Sequence, residues 1–125
     1  MVETHHAPPR SDFRSAAARF FNSALALAHT RAEPLVQLAR WHRARLEWPL
    51  ALMFARLAVA TPRPPDQLFV EDAVYAWRAL DELSIAAWHA GARDEGKRAA
   101  ERLVAEKRFP PSERERIEKN LTWYR

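Results

Sequence analysis

Cysteine is absent from the chain, and with it go disulfides, thiolate nucleophiles and cysteine-ligated zinc or iron-sulfur sites. Glycine is nearly absent: Gly91 and Gly96 are the only two in 125 residues. Dinucleotide fingerprints and phosphate-cradling loops need several close backbone approaches, so nucleotide enzymes of those classes are excluded. Lysine occurs only at Lys97, Lys107 and Lys119, which leaves the basic character to arginine. Long hydrophobic runs are missing too. The longest, Leu50 to Ala55, is far short of the ~20 apolar residues that span a bilayer. Met1 to Arg10 contains His5, His6, Pro8 and Pro9 but no apolar stretch of the roughly 7 to 15 residues that a signal peptide carries. Residues 1–11 therefore read as a disordered lead-in and residues 12–125 as one domain, with the cytoplasm as the expected compartment.

What is present suits one soluble core. The chain is 48% hydrophobic and 29% charged, in the range of globular domains that fold without staples. Net charge is +4, and it is unevenly placed. Residues 1–63 hold nine arginines against Glu3, Asp12, Glu33 and Glu47, whereas residues 64–125 hold eleven basic groups against twelve acidic ones. An anionic partner of the first half is conceivable on that basis, although solvated arginine on helices is the simpler account.

Apolar residues recur three or four apart almost throughout, and no stretch alternates with a period of two, so the fold class is all-α. Phe13, Ala17, Phe20, Ala24 and Leu27 predict a helix over about residues 12–29. Leu35, Leu38, Ala39, His42 and Leu46 lay out a second, whose start has two competing signals: Thr30 with Glu33 has capping-box spacing, and Pro34 prefers a first helical position. Pro49 ends that helix near Trp48 and opens a third running to about Ala60. Thr61 to Leu68, with three prolines, is an extended connector. A long fourth helix spans about Val70 to Ala90, closed by Gly91 in a left-handed cap, and a fifth runs from about Arg93 to Lys107. Pro110 and Pro111 break the chain before Ser112 and Glu115, again at capping-box spacing, which open a sixth helix through Ile117, Leu121 and Tyr124.

Shifting the sequence by 45 positions lays Leu35 on Leu80, Leu38 on Leu83, Ala55 on Ala100, Val59 on Val104 and Pro65 on Pro110. Each copy has two leucines three apart, a turn, a second helix with small residues on one face, and closing prolines. That is the composition of a helix-turn-helix repeat. Leu83, Ser84, Ala87, Gly91 and Gly96 fall where the tetratricopeptide consensus puts Leu, Gly, Tyr, Gly and Ala. The connector over 61–70 accounts for a period longer than the usual ~34 residues.

The run from Arg31 to Arg43, Arg-Ala-Glu-Pro-Leu-Val-Gln-Leu-Ala-Arg-Trp-His-Arg, resembles the opening of the tetratricopeptide-like region that follows the catalytic domain in some bacterial family-2 glycosyltransferases. Phe69-Val70-Glu71, Val74 to Arg78, Asp81-Glu82-Leu83, Ala90-Gly91, Glu101-Arg102-Leu103 and Asn120-Leu121 continue the resemblance in order to Tyr124. Trp88-His89 stands where the family has a tyrosine pair, and Gly96 where it has alanine. The resemblance implies a tetratricopeptide-like stack of about three antiparallel helix hairpins and a link to a glycosyltransferase system. It does not supply the large α/β nucleotide-sugar domain that such an enzyme requires.

The resemblance picks out a polar and aromatic set. It comprises Arg31, Glu33, Arg40, Arg43, Tyr75, Trp77, Arg78, Asp81 and Glu82; with Trp41 added from its place on the helix, Arg40, Trp41, Arg43, Tyr75 and Arg78 are the candidates for a partner-binding groove, and Arg31, Glu33, Arg78, Asp81 and Glu82 for a structural ion network. Arg78 is three residues from Asp81 and four from Glu82, within reach of both carboxylates, and a fork-shaped guanidinium there would join neighbouring helices. Trp41 lies at the edge of its helix's apolar face and is the tryptophan expected to stand exposed in the groove. Catalysis has no support: adjacent carboxylates such as Asp81-Glu82 and Glu71-Asp72 point about 100° apart on a helix. His42 and His89 have no metal-ligating partner one turn away, and His5 and His6 lack further ligands, so no metal and no cofactor are expected.

The expected function is a non-catalytic module that binds a protein or peptide through the first helices of its hairpins, with a glycosyltransferase catalytic domain as the partner that the resemblance implies. The alternative is a detached or truncated C-terminal part of a family-2 glycosyltransferase. A basic nucleic-acid binder using Arg10, Arg14, Arg19, Arg40, Arg43 and Arg45 is a third reading, disfavoured by the lack of lysine clusters and of any recognisable reading helix.

Overall fold

A computed structural model of the chain describes residues 31–65 and 70–125, with Arg19 as an isolated position before them. Apart from Arg19, the helix expected over residues 12–29 lies outside the described residues, as do the lead-in and residues 66–69. Those residues form five helices and, among them, no strand. They are α1 (Glu33–Ala44), α2 (Trp48–Ala60), α3 (a π-turn Val74–Arg78 continuing as the α-helix Ala79–Ala90), α4 (Arg93–Glu106) and α5 (a 3-10 turn Pro111–Glu113 continuing as Arg114–Thr122). None is long and apolar enough to cross a membrane.

Proline and one glycine set most of the boundaries. Pro34 and Pro49 occupy the first turns of α1 and α2, where a missing N–H costs nothing. At the start of α1 the proline signal prevails over the capping box. The N-cap is Ala32, with no side-chain cap, and the Glu33 carboxylate turns instead to Tyr75 and to the backbone N–H of Glu71. The second capping box fails likewise: Pro111–Glu113 makes a 3-10 turn, and neither part of α5 has a side-chain cap. Gly91 takes the left-handed conformation expected of it, at φ 83°. Its N–H reaches the Trp88 carbonyl and that of Ala92 the Ala87 carbonyl, the paired bonds of a Schellman close. The same pattern ends α1 without a glycine, since Leu46 adopts φ 60° while Leu46 N–H and Glu47 N–H bond the carbonyls of Arg43 and His42.

Helix directions follow from the pairs that join them. Glu33 near the start of α1 meets Tyr75 early in α3, and Arg43 near its end meets Glu82 farther along, so α1 and α3 run the same way. Asp81 meets Arg116 and Trp88 meets Tyr124, so α5 runs parallel to α3. Trp48 at the start of α2 stacks on His89 near the end of α3, which makes α2 antiparallel to both neighbours it packs on. Each helix packs on the next, with α1 also touching α3. The core is built from α1 residues Leu35, Val36 and Ala39, α2 residues Phe54, Ala55 and Ala58, α3 residues Leu80, Leu83 and Ala87, and Ala99, Leu103 and Ile117 farther on.

Small residues let α3, α4 and α5 approach closely. A Cβ on Gly96 would lie 2.1 Å from the Tyr124 hydroxyl, 2.7 Å from Tyr124 Cζ and 2.9 Å from Ala87 Cβ. The Tyr124 ring takes the space a side chain would need, and its hydroxyl donates to the Ser84 carbonyl. Glycine at 96, where the resemblance expects alanine, is thus matched to the tyrosine near the end of the chain.

Candidate functional site

The parallel helices α1, α3 and α5 bound a groove of about 610 Å³. From α3 it takes Trp77, Arg78, Asp81, Glu82, Ile85 and His89, a stripe with the three-and-four spacing of one helix face. α1 contributes Arg40, Arg43 and Ala44, and α5 with its leading 3-10 turn contributes Glu113, Arg116, Asn120 and Trp123. Leu46 and Trp48 close one end. Helices that run the same way present these stripes side by side, which a single hairpin could not do.

Two buried carboxylates fix the groove's floor. Asp81 and Glu82 are each only 6% exposed. Glu82 accepts from Arg43 twice, Nε at 2.7 Å and Nη2 at 3.1 Å, tying α1 to α3. Asp81 accepts from Arg116 Nη1 at 3.2 Å and Nη2 at 2.8 Å, tying α5 to α3. Arg116 also gives Nε to Glu113 at 2.9 Å. Burial pushes the Glu82 carboxyl above its usual range, while the Arg43 hydrogen bonds and the Arg43 and Arg40 charges pull it back. The guanidinium of Arg43 is raised by its bond to Glu82, and that of Arg116 by its bond to Asp81. Adjacent residues on one helix thus brace opposite walls, because the ~100° between them aims one carboxylate at each neighbour.

The expected role of Arg78 is corrected by this arrangement. It lines the groove, but both carboxylates of its own helix are taken by Arg43 and Arg116. Arg78 forms no ion pair among the described residues, and its Nε is buried with no partner. Its guanidinium carbon lies 5.4 Å from the Trp77 ring centre. Spacing along one helix placed the carboxylates within reach; partners from α1 and α5 meet them head-on.

Arg31 and Glu33 belong to a separate network at the other end of α1. Arg31 Nη1 is 3.4 Å from Glu33 Oε2. The Tyr75 hydroxyl donates to Glu33 Oε1 at 2.7 Å while accepting from the Ala32 N–H at 2.9 Å, and the Glu71 N–H reaches Glu33 Oε2 at 3.0 Å. Burial alone would raise the Glu33 carboxyl; these donors, with the Arg31 charge, hold it below the usual range. Tyr75, expected in the groove, is therefore a strut between α1 and α3 and borders a different, smaller cavity with Thr61, Arg63 and Asp72.

Trp41 is exposed, at 55%, but on another face of α1, beside Gln37, Leu38 and Leu50 and under the Arg45 guanidinium at 4.6 Å. Of the five residues expected in the groove, Arg40, Arg43 and Arg78 line it, and Trp41 and Tyr75 do not. Other groups that the sequence did not assign to the groove line it as well, among them Arg116, Asn120, Trp123 and His89. Arg116 had a weak signal, since it stands beside Ile117 at the centre of the buried stripe of α5. His42 is buried, bonds Glu47 Oε1 at 2.9 Å and stacks on Phe54. Among the described residues no three of His, Asp and Glu converge on a metal position. No protein family, curated protein or solved structure matches the chain.

Proposed function

We propose that the chain is a non-catalytic, tetratricopeptide-like interaction module that holds an extended segment of another protein between α1, α3 and α5, within a glycosyltransferase system. The observation that carries the reading is a groove assembled from three parallel helices, with arginine and tryptophan, the side chains that anchor protein interfaces, along its walls. The commitment of Asp81, Glu82 and Glu113 to arginines supports it as well: carboxylates already paired are poor acids or bases, whereas they make rigid walls. Two further points support repeat architecture. Adding 45 to the bounds of α2 gives 93–105, beside the observed Arg93–Glu106, and Ala55 and Ala100, one period apart, are both buried. The resemblance to the region after a family-2 catalytic domain supports such a domain as the partner and keeps a detached piece of that enzyme as the alternative.

Site-specific photo-crosslinking in cells separates the readings. A crosslinking residue at Ile85, inside the groove, should capture a protein that the same residue at Arg98, on the exposed side of α4, does not. Arg78→Ala and Trp123→Ala should each reduce that capture while leaving the melting temperature within about 3 °C, as expected of half-buried groups that make ring contacts but no hydrogen bond or ion pair among the described residues. Equal capture at both positions would sink the groove reading, and salt-resistant capture of nucleic acid would replace it. Transfer from nucleotide sugars by the purified chain, with Mg²⁺ or Mn²⁺, would show it to be enzymatic.

A further inference from the structure

The groove's charges do not balance locally. Arg43 is spent on Glu82, and Arg116 on Asp81 and Glu113. Arg40 and Arg78 remain, with no hydrogen bond or ion pair among the described residues; Arg40 acts on Glu82 only through its charge, and each groove carboxylate is already bonded to another arginine. Arg40 precedes Arg43 by three residues on α1, and Arg78 precedes Glu82 by four on α3. Since the Arg43–Glu82 pair sets the level of these parallel helices, the two spare guanidiniums stand one turn back from it, Arg40 on the α1 wall and Arg78 on α3. Arg78 in particular lines the groove with its Nε buried and without an acceptor, so packing against Trp77 and not a carboxylate holds its guanidinium in place.

The other end of the groove is different. Trp48 stacks on His89 with ring centres 3.9 Å apart, and Trp123 meets His89 edge-on at 6.2 Å. Leu46 completes this end, and Ile85 lies between the two. From Arg78 to His89 along α3 is about 16 Å at the helical rise, the length of roughly five residues of extended peptide.

We propose that the groove takes an extended acidic peptide, with one or two carboxylates against Arg40 and Arg78 and an apolar side chain roughly five residues away against Trp48, His89 and Trp123. The inference rests on the groove being a peptide site and adds which peptides it selects. Charge complementarity sets the class: a basic segment would face two arginines that have no ion-pair partner among the described residues, and a neutral one would bring them no counter-charge. The aromatic end sets the spacing and gives binding a component that salt does not screen.

A phage-displayed library of random peptides panned on the full chain tests this, with individual peptides then synthesised and followed by quenching of tryptophan fluorescence. Selected peptides should carry Asp or Glu spaced from a Leu, Phe or Trp as above. Exchanging their acids for amides should weaken binding about tenfold or more, and Arg40→Ala/Arg78→Ala should weaken the acidic peptide as much while leaving the amide version unchanged. Peptides that bind the groove, lose affinity in Trp123→Ala and show no acidic preference would overturn the inference and leave the groove reading standing. A library yielding no peptide sensitive to groove substitutions would overturn both.

Discussion

Arg43→Met removes both hydrogen bonds that Glu82 receives while keeping most of the apolar stem. Glu82 is left buried and charged, with the Arg40 charge as the cation that still acts on it. Removing one partner of a buried pair costs about 3–5 kcal/mol. The Arg43 side chain is 34% exposed, so water already screens its half of the pair, and about 2–4 kcal/mol is the appropriate expectation. At roughly 4 °C per kcal/mol for a chain of this size, Tm at neutral pH should fall by roughly 8–16 °C. The dependence on pH has a definite sign. Without Arg43 the folded Glu82 carboxyl rises further above its unfolded value of about 4.3, so the folded state holds its proton to higher pH than the unfolded one. Relative to wild type the deficit is complete above the variant's raised value, shrinks as pH falls through it, and is lost below the wild-type folded value, where Glu82 is protonated in both folded proteins. Adding Glu82→Gln should restore at least half of the loss, because an amide needs no counter-charge. Thermal melts of wild type, both single variants and the double variant between pH 4 and 7.5 carry the test. A single-variant Tm within about 2 °C of wild type, or a deficit that grows on acidification, would refute a buried carboxylate held by Arg43.

Gly96→Ala should destabilise by about 1–2 kcal/mol: with the Tyr124 ring and Ala87 both too close to a Cβ, overpacking falls in the upper part of its usual range, about 2–3 kcal/mol, less the ~1 kcal/mol that alanine gains in a helix. In combination with Tyr124→Phe, which removes the nearest atom, the cost should be less than the sum of the two, measured by urea unfolding. Burial pushes the Tyr124 phenol up to about 12 and raises that of Tyr75 as well. Stability should therefore fall as pH rises through the unfolded value of about 10 toward those folded values. Tyrosinate absorbance should appear late in the folded protein and near pH 10 in urea.

Local signals in the sequence determined where the helices lie, because a missing N–H or a left-handed residue acts within one turn. Pro34, Pro49, Gly91 and the Pro110-Pro111 pair mark the described boundaries to within a few residues, and the all-α class follows from apolar spacing alone. The capping boxes misled, since Glu33 had a better use: a tyrosine hydroxyl and a backbone N–H on α3 offer more than its own N-cap.

Which arginine meets which carboxylate was beyond the sequence. Within one helix the only visible pairings are three or four residues apart, and these nominated Arg78 for Asp81 and Glu82. The partners that reach them, Arg116 and Arg43, are 35 and 39 positions away and arrive only when α5 and α1 are laid parallel to α3. Packing decided the tryptophans in the same way: Trp41 was legible as exposed from its place at the edge of the α1 stripe, but which face of α1 borders the groove depends on where α3 sits. Gly96 is the clearest case. Its sequence neighbours ask only for a helix former, and the glycine makes sense once Tyr124 is folded against it, since a close approach between distant segments is a property of the assembled helices and of no segment alone.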